Sequence, residues 1–162
     1  MEIEKFLPCK EGLEFRKQYP DFKTAWNECP RGDWMLWIAK KLDVDLLKLI
    51  TAKALCANTV RHLMKNERST RAIDVALSFG NGIATRQELD AAADAAYVAA
   101  ADADAYAADA AAYAAAYAAV VAADAAYAAA YAVARTKNKL QTANICREVL
   151  TEVVFEAIDK LK

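Results

Sequence analysis

Of the 44 residues from 91 to 134, 29 are Ala, and the rest are Tyr, Asp and Val. Ala loses no side-chain entropy in a helix and hides no polar group, so this tract is helical. It is also a weak source of burial energy, because a methyl group removes little area from water. Neighbouring helices must hold it, and small side chains let their axes approach closely. A single rod of this length would be roughly 66 Å long at 1.5 Å per residue. A compact chain of this size has a radius of gyration of ~15 Å. The tract is therefore expected to reverse at least once. Asp102 and Asp104 are the best break point, because Asp caps helices well and sits poorly inside them. Asp124 is second.

Positions 102, 106, 109, 113, 117, 120, 124, 127 and 131 step by three or four and share one helical face. They read Asp, Tyr, Asp, Tyr, Tyr, Val, Asp, Tyr, Tyr, against an opposite face of nearly pure Ala. The Tyr rings can serve as core anchors with their hydroxyls at the surface. Alternatively the stripe is a partner-binding surface, with Asp102, Tyr106, Asp109, Tyr113, Tyr117 and Asp124 as its candidate contacts.

Net charge is −1, but unevenly spread: +3 over residues 1–89, −6 over 90–134 and +2 over 135–162. An acidic centre argues against a nucleic-acid-binding face there and suits a basic partner. No signal peptide is legible, and the Asp-punctuated Ala tract is too polar for a membrane span. Cys9, Cys29, Cys56 and Cys146 lack close spacing, which suits reduced cytoplasmic thiols. No zinc spacing, phosphate loop or nucleophile elbow occurs, so no catalytic, metal or cofactor site is expected. Cys56 and His62, six apart, do not share a helical face as a dyad would require.

Gly and Pro number only four and three, so breaks stand out. Helices are expected over 11–18, over 22–28 behind an Asp21 cap, over 34–42 behind Asp33, and over 46–64 behind Asp45. A further helix spans 68–79. Thr85-x-x-Glu88 is a capping box that starts the helix entering the Ala tract. The polar run 135–139 reads as a break before a last helix over 139–161, with Leu140, Ile145, Val149, Leu150, Val153, Val154 and Ile158 as its apolar face. No segment alternates with period two. The expected fold is all-α: one domain over 1–162, a compact antiparallel bundle with closely packed Ala-rich helices.

Arg31-Gly32-Asp33 could pass for a cell-adhesion triplet, but it runs straight into Trp34-Met35-Leu36-Trp37, which favours capping and packing. An ion pair of Asp33 with Arg31 or with Arg71 is open at this stage. The segment Trp26-x-x-Cys29-x-Arg31-Gly32-Asp33-Trp34-Met35-Leu36-Trp37 is distinctive. With Cys56-Ala57, Arg71-Ala72-Ile73, Gly82 and the Ala/Asp/Tyr tract, it resembles the immunity protein family associated with bacterial polymorphic toxin systems, over about residues 22–134. Trp26, Arg31, Asp33, Trp34 and Trp37 carry the specific part. The resemblance implies an all-α cytoplasmic protein that binds and neutralises another protein, a toxin or a defence factor, without catalysis. Relatives scattered through phage genomes make an anti-defence role a variant of the same reading. A nucleotide sponge is the alternative, with Tyr rings stacking on a base and Arg61, Arg68 or Arg71 holding phosphate. An exposed Ala face would also allow a homodimer.

Overall fold

The structure, a computed structural model, describes residues 3–6, 8–64, 66–101 and 132–161. It is all-α. The helices are α1 (Lys10–Lys17), α2 (Phe22–Glu28), α3 (Gly32–Lys41), α4 (Leu46–Asn58), α5 (Glu67–Gly80), α6 (Arg86–Ala101) and α7 (Ala132–Asp159). Short 3-10 turns occupy Ile3–Phe6 and Arg61–Leu63. The expected reversal at Asp102, Asp104 or Asp124 lies outside the described residues, as do Tyr106, Asp109, Tyr113 and Tyr117 of the Tyr/Asp stripe.

Helix starts follow local chemistry. Asp21 accepts from the Thr24 N–H at 2.8 Å and Asp45 from the Lys48 N–H at 2.9 Å, so each satisfies a first-turn donor. Thr85 and Glu88 form the reciprocal capping box: Thr85 N–H donates to Glu88 Oε2 at 2.7 Å, and Glu88 N–H donates to Thr85 Oγ1 at 3.2 Å. Asp33 is different. The cap of α3 is Arg31, which makes no side-chain cap bond, and Gly32 is already helical. The Asp33 carboxylate instead takes the Arg31 guanidinium through Nε at 2.8 Å and through Nη2. An N-cap role for Asp33 is therefore incorrect; the ion pair with Arg31 has taken the carboxylate.

The helices pack in two layers that share α4. One core joins α2, α3, α4 and α7 through Trp26, Met35, Leu36, Ala52, Cys146 and Leu150. The second joins α4, α5 and the start of α6 through Ile50, Ala54, Ala76, Phe79 and Leu89. Helix α4 thus buries two faces, which is why its sequence is apolar nearly all round. Lys53 is drawn into this interior and is 7 % exposed. Burial first, and then the neighbouring Lys40 charge, lower its pKa to about 8.

Close approach is made by small residues. A Cβ on Gly32 would lie 2.5 Å from Thr142 Oγ1 and 2.6 Å from that residue's backbone carbon, so the Gly of the triplet lets α3 touch α7. The last helix begins earlier than the polar run suggests. Residues 135–139 are helical, and within them Asn138 is buried, donating through Nδ2 to Thr59 Oγ1 at 2.8 Å. Helix α4 conversely stops at Asn58, six residues short of the expected end. On α7, Leu150, Val154 and Ile158 are buried as expected, and Ile145, Val149 and Val153 are partly buried. Leu140 is 50 % exposed and does not belong to that face.

Candidate functional site

The Trp-Cys-Arg-Gly-Asp-Trp segment builds an aromatic cleft against the first two helices. Trp26, on α2, is 3 % exposed, and its Nε1–H donates to Thr151 Oγ1 at 2.9 Å, fixing the indole against α7. Phe22 lies one turn earlier, its ring centroid 6.2 Å from Trp26. Trp34 is partly buried, 5.8 Å centroid to centroid from Phe15 on α1. The Arg31 guanidinium lies 4.4 Å over Trp34, so its contacts with that ring and with Asp33 hold the α2–α3 corner. Arg147 fastens the same corner to α7, donating from Nη1 to the carbonyls of Cys29 at 2.7 Å and Asn27 at 3.1 Å.

Together Phe15, Phe22, Trp26, Trp34 and Trp37 wall a cleft of about 260 Å³. That exceeds the ~150 Å³ in which an apolar cavity holds benzene. All three tryptophans of the chain line it. Gly12 opens its wall from α1. A Cβ there would meet Cys9 Sγ at 3.3 Å and the Trp34 ring at 3.9 Å. A helical Gly sacrifices roughly 0.5–1 kcal/mol relative to Ala, and here it leaves that volume to the cleft. Exposed Cys9 caps α1 by accepting from the Gly12 N–H at 3.4 Å. Arg16 also lines the cleft. Its Nη1 donates to the Tyr19 carbonyl at 2.8 Å, while its Nε is buried with no partner.

Of the sequence-predicted site residues, the structure gathers Trp26, Asp33, Trp34 and Trp37 at this cleft, with Arg31 stacked on Trp34. Asp102, Tyr106, Asp109, Tyr113, Tyr117 and Asp124 lie outside the described residues. Gly12, Phe15, Arg16 and Phe22 also line the cleft, and the sequence does not mark them as a site. Their only signal was helical spacing, Gly12 to Phe15 at i, i+3 and Phe22 to Trp26 at i, i+4.

The proposed phosphate-holding arginines lie elsewhere. Arg61 is tied bidentately to Asp74 at 2.5 and 2.8 Å. Arg68 and Arg71 line a separate groove of about 580 Å³ between α5 and α6, beside Ile83, which is 78 % exposed. The two depressions share no lining residue. None of Arg61, Arg68 and Arg71 therefore lines the aromatic cleft.

Cys29, Cys56 and Cys146, dispersed in sequence, meet in the core shared by α3, α4 and α7, as free thiols. Cys146 donates to the Gly32 carbonyl at 3.6 Å, and its pKa is pushed up by the adjoining Cys56 thiol and by burial. Burial likewise raises Cys29 to about 11, so it stays a protonated core group. His62 is exposed while Cys56 is buried, so the two are not a dyad. Among the described residues no group of three His, Cys, Asp or Glu could hold a metal ion, and no helix is long and apolar enough to cross a membrane. In comparisons with known proteins, no family model, no curated protein and no solved structure matches the chain.

Proposed function

We propose that the chain is a non-enzymatic, protein-binding inhibitor of the immunity type, which neutralises a toxin or a defence factor by occupying its surface in the cytoplasm. The observation that carries this reading is the aromatic cleft. It is concave, rigidly backed by α7, and formed by the segment that bears the family resemblance. Such a pocket can receive one apolar anchor from a partner, and a few anchors of this kind supply most of an interface's binding energy. The acidic groups Asp102, Asp109 and Asp124 of the Tyr/Asp stripe would speed encounter with a basic partner. The test is affinity capture from the native host with parent protein and a Gly12→Leu variant. Leu at position 12 would fill the cleft and leave the acidic residues of the tract unchanged. A partner retained by the parent and lost by the variant supports the reading. Equal retention by both removes the cleft from the interface.

A second reading, a nucleotide sponge, is favoured by the Arg68/Arg71 groove. Thermal shift against a nucleotide panel separates the two. A ligand held there should stabilise by ~2.7 kcal/mol at 100 times its dissociation constant, and Arg71→Ala should abolish the effect.

A further inference from the structure

The groove between α5 and α6 is unfinished in two ways. Ile83 at its end is 78 % exposed, more than any other large apolar side chain among the described residues. Its basic wall is also unanswered. Nearby charged groups have partners: Arg61 has Asp74, Arg86 has Asp90, and Glu88 has the Thr85 hydroxyl and N–H. The guanidiniums of Arg68 and Arg71, which line the groove, make no hydrogen bond or ion pair among the described residues, and neither does the exposed carboxylate of Asp94.

These opposite charges stand at similar heights on neighbouring helices. Ala72 and Ala96 share a buried cluster, as do Ala76 and Leu89, so α5 and α6 run antiparallel and Arg71 lies within about a turn of the level of Asp94. Within one chain they do not meet. Around α6, at about 100° per residue, Ala92 turns toward α5, Ala91 and Ala95 face outward along the groove, and Asp94 stands on the opposite flank. A two-fold axis running along α6 brings them together. It sets the outward side of one copy's α6 against the same side of another's, and carries Asp94 of each copy over the groove of the other. The Ala side chains are too short to hold the two helices apart. Among the described residues no aromatic ring lines the groove, so a nucleobase has nothing to stack on there. A helix bearing a carboxylate answers both its apolar and its basic wall.

We propose that the α5–α6 groove is a homodimer interface, in which α6 of a second copy covers Ile83 and pairs its Asp94 with Arg71. Arg68, one turn further along α5, extends the positive wall that steers the carboxylate in. The symmetry makes each contact twice. The groove shares no lining residue with the aromatic cleft, so the dimer and the protein-binding role of the cleft stand or fall separately.

The test is sedimentation velocity of the full chain and its charge variants from about 1 to 100 µM, a range that brackets a micromolar dissociation constant. The parent should pass from monomer to dimer across this range, and added salt should push it back. Arg71→Glu and Asp94→Arg each place like charges together at both symmetric contacts, and each should dimerise at least about 30-fold more weakly. Mixed in equal amounts the two variants should form a heterodimer, because both contacts then pair opposite charges. The two substitutions on one chain should restore dimerisation for the same reason.

A parent that stays monomeric throughout would overturn the proposal, and that result needs no variant to fold. A dimer that survives both single variants would place the interface elsewhere. Two folded, monomeric variants that do not associate on mixing would refute the pairing of Arg71 with Asp94. A monomeric parent stabilised by ATP, with the effect lost in Arg71→Glu, would give the groove to a small anion and refute the second copy as its occupant.

Discussion

Gly32→Ala isolates the packing explanation of the Arg-Gly-Asp triplet. The new Cβ would sit 2.5 Å from Thr142 Oγ1 and 2.6 Å from both its Cβ and its backbone carbon. The hydroxyl could rotate away, but the backbone of Thr142 belongs to a 28-residue helix and cannot. Relief requires α3 and α7 to separate, which loosens Met35, Leu36 and Ile38 against Ala143, Cys146 and Leu150. Overpacking of this kind destabilises by ~1–3 kcal/mol, and the Gly-to-Ala propensity gain returns up to ~1. The net expectation is a loss of about 1–2 kcal/mol, or a fall in Tm of roughly 2–8 °C for a chain this size. Urea unfolding followed by circular dichroism at 222 nm would measure it. Thr142→Ala added to Gly32→Ala should not restore stability, since the clash with the backbone carbon remains. A single variant as stable as the parent would refute the close approach. The triplet would then need another explanation.

Three further outcomes are expected at other positions. Trp26→Ala should cost ~3–5 kcal/mol, whereas Trp37→Ala, at a partly buried ring, should cost about half as much; equal losses on urea unfolding would contradict their different burial. Lys53, with its folded pKa lowered to about 8, binds fewer protons folded than unfolded above that pH. Stability should therefore rise from pH 8 to pH 9, by up to ~1.4 kcal/mol per unit, and Lys53→Met should flatten that rise; a parallel pH profile for the variant would remove Lys53 as its source. Changing Asp102, Asp109 and Asp124 together to Asn should slow association with a basic partner and weaken its salt dependence; an unchanged rate at two salt concentrations would exclude the stripe from the interface.

The parts of the fold legible in the sequence were those decided locally. Asp21, Asp45 and the Thr85–Glu88 box mark helix starts because a cap needs only its next three residues. Asp33 looked the same and behaved differently, because Arg31 lies two residues away and takes the carboxylate first. Residues 135–139 read as a break on polarity alone, yet Asn138 finds its partner in Thr59, 79 positions away. Leu140, counted on the apolar face, is exposed because α7 turns Asn138, Thr142 and Ala143 inward around it. The cleft was half visible. Trp26, Trp34 and Trp37 announced bulk, but the room beside Trp34 depends on Gly12, a residue whose contribution is an absent side chain.

The claim that this cleft is the working surface is tested most directly by one affinity. The partner captured from the host would be titrated against the parent and against Gly12→Leu, both shown to be folded by circular dichroism. An anchor pocket contributes at least ~2 kcal/mol to an interface, so filling it should weaken binding by about 30-fold or more. Parent-like affinity in the filled variant would contradict the account.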